Sequence, residues 1–156
     1  MEVLILSKKK AISDLSREIK PGDICYYLSD DYAALLKVRA TLTDPSQVLL
    51  PGAIFHQSVE KIGANFLRLC HQITLKNNPE IYWGSQLASR NSATIPLLKY
   101  MAYYYCAKVF LANASSRVLF ICDFHPLARL IHTESQDRGF STHIRFSTLE
   151  DVDSFK

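Results

Sequence analysis

The sequence is poor in glycine, and its glycines form no phosphate-binding pattern. Only five glycines occur among 156 residues, and none stands in GxGxxG or GxxxxGK[ST] spacing. Those patterns let the backbone of a loop approach phosphate groups closely. Their absence argues against a standard dinucleotide or P-loop site, while nucleotide binding through other loops stays open. A GxSxG elbow is also missing, which argues against an α/β-hydrolase.

Cysteine is sparse, and its spacing is not that of a metal site. The four cysteines are Cys25, Cys70, Cys106 and Cys122. They are far apart, and no CxxC or comparable short ligand spacing occurs. Each lies in an apolar run, which predicts buried free thiols in a reducing compartment. His125 and His132 could share a helix face, but without a third ligand they predict no metal site.

A strong charge of one sign is also lacking. The 18 basic and 15 acidic residues give a net charge of +3. A nucleic-acid partner requires clustered positive charge, so this balance argues against one. The one basic run, Lys8-Lys9-Lys10, is interpreted as a solvated turn, with a phosphate contact as the alternative.

Neither a signal peptide nor a transmembrane segment is visible. The first ten residues carry their positive charges after a short apolar run rather than before it. The longest mostly apolar run, residues 95–112, contains two lysines and is a poor membrane span. We therefore expect a cytoplasmic protein.

The sequence is rich in alternating strand-like and helix-like segments. Continuous apolar runs predict strands at residues 2–7, 24–29, 46–50, 117–123 and 141–147. Helical spacing predicts helices at residues 11–19, 30–40, 54–73, 81–91, from 92 onward, and 124–139. Strand, helix and strand in this order indicate parallel pairing through right-handed crossovers. The predicted fold class is α/β, a Rossmann-like three-layer fold with a mostly parallel sheet and helices on both faces.

The length fits one domain of ordinary size. We expect residues 1–150 to form a single Rossmann-like domain, with residues 151–156 as a frayed or truncated end. Because the chain ends just after a strand, we also expect it to belong to a longer protein.

Ligands of open α/β sheets bind beyond the carboxyl ends of the strands. That rule selects Ser7-Lys8, Ser29-Asp30-Asp31 and Asp123-Phe124-His125. Ser7 and Lys8 are candidate substrate-binding residues. Asp123 and His125 are candidate catalytic residues, because an Asp and a His there could act as an acid/base pair or orient a hydroxyl group. The alternative is that one of them caps the following helix, with Pro126 in its first turn.

The stretch IYWGSQLASRN, residues 81–91, contains the single tryptophan. On a helix Trp83, Leu87, Arg90 and Asn91 share one face. One interpretation is packing, with the Arg90 stem laid across the Trp83 ring. The other is a binding site in which Trp83, Arg90 and Asn91 position a polar or anionic group, since the arginine fork suits phosphate and carboxylate.

The pattern W-x-x-[QS]-L-A-x-R-N, followed by a few polar residues, a proline and an apolar helix, resembles a family of bacterial surface-carbohydrate (O-antigen-type) biosynthesis proteins. Its residues here are Trp83, Gln86, Leu87, Ala88, Arg90, Asn91 and Pro96-Leu97. The resemblance covers about residues 80–125. Members of the family look like GT-B-type glycosyltransferases, which have two Rossmann-like halves around a cleft.

The resemblance implies that this chain corresponds to the N-terminal half of such a transferase. That half would face the carbohydrate acceptor. The nucleotide-sugar donor would be held on a C-terminal domain missing from the chain, so no cofactor is expected on this one. Two other hypotheses stay open: a non-catalytic α/β module that binds a small ligand or a protein partner, and a stand-alone flavodoxin-like enzyme that uses Asp123 and His125.

Overall fold

The computed structural model describes residues 2–7, 17–76 and 97–145. Their strands form one parallel sheet in the order β3-β2-β4-β1-β5. The strands are β1 (Glu2–Ser7), β2 (Ile24–Leu28), β3 (Val48–Leu49), β4 (Val118–Cys122) and β5 (Ser141–Arg145). The helices are α1 (Tyr32–Thr41), α2 (Gly52–Lys76), α3 (Leu97–Asn113) and α4 (His125–Asp137), with a 3-10 turn at Pro45–Gln47. The prediction of an α/β, Rossmann-like fold is confirmed.

The chain forms two compact units. A sheet unit consists of Met1–Pro51 and Lys108–Lys156, and a helical unit consists of Gly52–Ala107. In sequence the helical unit is therefore inserted between β3 and β4. The expectation of a single domain over residues 1–150 stays a prediction, and residues 151–156 lie outside the described part of the chain.

The three central strands of the sheet unit are mostly apolar because helices cover both faces. All five residues of β4 are buried. Side chains alternate between the faces, and one face packs against Leu35 and Val38 of α1 and against Ile19. The sheet residues of that cluster are Leu4, Leu6, Cys25, Tyr27, Val48, Leu119 and Ile121.

The opposite face of the sheet is covered by the end of α3 and by α4. Tyr26 stacks on Phe110, with ring centroids 3.7 Å apart, and its ring centroid is 5.8 Å from that of Phe120. The connections β1→β2 and β2→β3 run one way across the sheet, and β4→β5 runs the other way. Because such crossovers are right-handed, α4 lies on the face opposite α1. Helix, sheet and helix form the predicted three layers within this unit.

An ion cluster, consisting of Glu2, Asp23 and Arg117, joins the amino ends of three strands. Arg117 directly precedes β4, and its Nη1 lies 2.5 Å from Oδ2 of Asp23, just before β2. Its Nε lies 3.2 Å from Oε2 of Glu2, the first residue of β1. The Asp23 carboxylate is 7% exposed and also accepts a hydrogen bond from the Lys20 N–H at 2.8 Å. The cluster therefore holds the amino ends of β2, β4 and β1 together.

The helical unit contains α2 and most of α3. The Ser58 hydroxyl donates to the carbonyl of Ile54 at 2.6 Å and lies 3.5 Å from the thiol of Cys106. The rings of Phe55 and Tyr103 have centroids 4.9 Å apart. The α2 helix runs past both ends of the predicted 54–73, because the apolar stripe that predicts it begins only at Phe55.

Helix termini follow the local sequence signals. Asp31 is the N-cap of α1, and its Oδ1 accepts the Ala34 N–H at 3.0 Å, as expected for an Asp at this position. Gly139, with φ of +76°, ends α4 as predicted. None of the described helices is long and apolar enough to cross a membrane.

Candidate functional site

The sheet has a topological switch point between β2 and β4. These strands are neighbours, yet the connection from β2 leads to β3 and the connection from β4 leads to β5, in opposite directions. Right-handed crossovers send the two connections to opposite faces of the sheet. Open α/β sheets bind ligands at the carboxyl ends of strands whose connections diverge in this way.

The strand register brings Ser29 and Asp123 together at this edge. Leu28 of β2 lies opposite Cys122 of β4, so the next residues, Ser29 and Asp123, lie side by side. The Ser29 hydroxyl donates a hydrogen bond to Oδ2 of Asp123 at 2.9 Å, across 94 residues of sequence. Two of the three predicted places, at the ends of β2 and β4, are therefore one site.

The third predicted place lies at the end of β1. Ser7 is paired with Cys122 in the sheet register, so the backbone of β1 ends beside the start of the Asp123 loop. The side chain of Ser7 and all of Lys8 lie outside the described residues. Trp83, Arg90 and Asn91 also lie outside them, so their roles stay predictions.

The N-cap residue of α1 holds the side chain of Ser29 through a hydrogen bond. The Asp31 N–H donates to the Ser29 Oγ at 3.2 Å. The hydroxyl of Tyr27, a fully buried residue, donates to the Asp31 carbonyl at 2.9 Å. Ser29 itself is only 6% exposed. A continuous series of hydrogen bonds thus runs from the core to the Asp123 carboxylate.

The start of α4 places His125 at the same edge. The N-cap residue is Phe124, which makes no side-chain capping hydrogen bond. Neither Asp123 nor His125 is therefore the N-cap, and the capping alternative is wrong in that respect. Asp123 instead accepts a hydrogen bond from Ser29, while His125 is the exposed first residue of the helix. Pro126 occupies the first turn, as expected.

The thiol next to the site is not a nucleophile. Burial, and to a smaller extent the charge of Asp123, raise the pKa of Cys122 to about 12, against a small opposing effect of the Phe124 N–H. Burial also raises the pKa of Cys25 to about 12, with a contribution from Asp23. Both thiols stay protonated at neutral pH. Cys25, Cys106 and Cys122 are buried and free, as predicted, and the side chain of Cys70 lies outside the described part.

Stability should fall as the pH rises above 9, because these thiols ionise only when the protein unfolds. Their pKa is about 12 in the folded protein against an ordinary value of 9.0, so the folded state binds more protons between those values. We expect a loss of about 1.4 kcal/mol per thiol between pH 8 and pH 10. Urea unfolding at both pH values measures it. The Cys122→Ala variant should lose less on this pH change than the wild type, and an equal loss would contradict the prediction.

Metal-ligand residues do not converge in the part of the chain that the structure describes. No group of three or more His, Cys, Asp or Glu side chains there is placed to hold a metal ion. His125 is exposed and His132 is half-buried on the same helix. A shallow groove lined by Ile19, Thr41 and Leu42, among others, lies towards the amino end of β2 and thus away from Asp123.

Sequence reasoning proposed Asp123 and His125 as site residues, and it did not single out Ser29, which contacts Asp123. The available signal was its position directly after a strand, which selected the Ser29-Asp30-Asp31 segment. Comparisons with protein-family models, with curated proteins and with solved structures find no match to this chain. The fold and the site define a broad class, a Rossmann-like α/β protein with a polar pair at its switch point.

Proposed function

We propose that this chain is the N-terminal, acceptor-side domain of a glycosyltransferase-like protein of bacterial surface-polysaccharide synthesis, acting in the cytoplasm. Two things support the proposal. One is the resemblance centred on Trp83, Arg90 and Asn91. The other is the Rossmann-like sheet, which is the kind of domain that a GT-B-type half requires.

The observation that carries the proposal is the Asp123 carboxylate, held by Ser29 at the switch point. An ionised carboxylate accepts hydrogen bonds and donates none, so it is complementary to hydroxyl groups. A carbohydrate acceptor presents several hydroxyl groups. In the proposed reaction Asp123 orients one of them and takes its proton as the hydroxyl oxygen attacks the anomeric carbon of the donor sugar. The bond from that carbon to the phosphate oxygen breaks, and the nucleotide leaves with the electron pair. The exposed His125 supplies a second polar contact for the acceptor.

The nucleotide-sugar is assigned to a C-terminal domain, which the chain does not include. The five scattered glycines agree with this assignment, since none forms a phosphate loop. A second Rossmann-like pattern encoded downstream in the same reading frame is what the proposal requires. A reading frame that stops at Lys156 would count strongly against it.

The test is sugar transfer by the protein as encoded, with a panel of labelled nucleotide-sugars and lipid-linked or free saccharide acceptors. Asp123→Asn keeps the size and the hydrogen bond from Ser29 but removes the basic carboxylate. We expect kcat to fall by about 100-fold or more. Asp137→Asn, at the exposed end of α4, is the matched control and should leave the rate unchanged.

An unchanged rate in Asp123→Asn would rule out the catalytic role. Saturable binding of saccharide without turnover, by a wild-type protein that includes its downstream domain, would favour the non-catalytic module instead. In that case Asp123→Asn should weaken binding.

A further inference from the structure

We infer that Ser29 is the positioning residue of the site, whose hydroxyl proton fixes one orientation of the Asp123 carboxylate. Its significance for turnover rests on the proposed function, whereas its effect on the Asp123 side chain does not. The sequence selects Ser29 only as part of the segment that follows β2, which is a different strand connection from that of Asp123.

The direction of the hydrogen bonds at Ser29 is fixed by its neighbours. A serine hydroxyl has one proton to donate and two lone pairs that accept. The Asp31 N–H can only donate, so the Ser29 oxygen accepts there, at 3.2 Å. The Asp123 carboxylate can only accept when it is ionised, so the single proton of Ser29 points to its Oδ2, at 2.9 Å. Every hydrogen bond of the series has one allowed direction.

The serine is itself held in place by structure that is independent of Asp123. Asp31 caps α1 through its side chain, and its carbonyl accepts from the buried Tyr27 hydroxyl at 2.9 Å. Its backbone N–H therefore cannot move away from Ser29 without disturbing the first turn of the helix. At 6% exposure Ser29 has little contact with water that could compete for its proton.

One consequence follows for the chemistry. The series of hydrogen bonds connects the Asp123 carboxylate to the buried Tyr27, and this limits the rotation of the Asp123 side chain. Loss of such positioning lowers the catalytic rate, because misplacing a catalytic group by about 1 Å can lower the rate by about 100-fold.

The experiment compares Ser29→Ala, Ser29→Thr and the wild type. Three-bond scalar couplings of the Asp123 side chain, measured by NMR, report whether χ1 occupies one rotamer or several. We expect one rotamer in the wild type, averaging in Ser29→Ala, and a return to one rotamer in Ser29→Thr, which keeps the hydroxyl. Ser135→Ala is the matched control, since Ser135 is also buried but donates within its own helix, to Ile131 at 2.7 Å.

In the transfer assay Ser29→Ala should lower kcat by roughly 10- to 100-fold with KM little changed, and Ser29→Thr should recover most of the loss. A single Asp123 rotamer in Ser29→Ala would overturn the inference. Averaging of χ1 in Ser29→Ala, in a protein that shows no sugar transfer even as wild type, would uphold the positioning role and reject the proposed function. A wild-type rate in Ser29→Ala despite averaging would reject the role of Ser29 in turnover.

Discussion

Replacing Arg117 with methionine is expected to lower the free energy of unfolding by about 3 to 5 kcal/mol. Methionine keeps the length of the stem and removes the charge. The Asp23 carboxylate, 7% exposed, then loses the guanidinium that lies 2.5 Å away and stays buried with its charge uncompensated. The amino ends of β1, β2 and β4 lose their common partner as well. Urea unfolding followed by circular dichroism measures the change.

Two further variants show whether the buried carboxylate causes the loss. Asp23→Asn, combined with Arg117→Met, removes the uncompensated charge and keeps an acceptor for the Lys20 N–H, so it should restore a large part of the stability. Arg138→Met breaks a more exposed pair with Glu134 at the end of α4 and should cost less than about 1 kcal/mol. Equal losses in Arg117→Met and Arg138→Met would show that the ion cluster contributes no more than a surface pair.

Replacing Phe120 with alanine is expected to cost about 3 to 5 kcal/mol. Phe120 is fully buried in the middle of the central strand β4, and its ring lies 5.8 Å from that of Tyr26. Alanine leaves a cavity on the face of a strand whose backbone is hydrogen-bonded on both sides, so the site cannot easily collapse. Thermal and urea unfolding of the variant give the loss.

Leu130→Ala is the control for this substitution. Leu130 is 51% exposed on α4, and its truncation should change stability by less than about 0.5 kcal/mol. A comparable loss in both variants would contradict the assignment of Phe120 to a tightly packed core. A loss for Phe120→Ala below about 1 kcal/mol would mean that the neighbouring rings close the gap.

Much of the fold could be predicted from the sequence. A strand in a sheet that is covered on both faces is apolar on both sides, so it stands out as a short continuous apolar run. The runs around Leu4 and Phe120 are of this kind, and both became central strands. The order of the strands could not be predicted. It depends on how far each crossover reaches, and no local pattern shows that β4 separates β1 from β2.

Part of the site could also be predicted from the apolar strands. Asp123 could be chosen because it follows a strongly apolar strand, and the carboxyl ends of parallel strands share one edge. Its partner Ser29 lies 94 residues away, and only the register of Leu28 with Cys122 brings the two together. The N-cap at Phe124 was not predicted either, because apolar residues are poor caps.

The central position of β4 also determines when the sheet can form during synthesis. The neighbours of β1 in the described sheet are β4 and β5, both in the last third of the chain. A nascent chain that has emerged only as far as α3 carries β1 and β2 without the strand that joins them. Closing such long loops is entropically costly and slows folding. Until Val118–Cys122 leaves the ribosome, the apolar edges of β1 and β2 are open to aggregation and to chaperones.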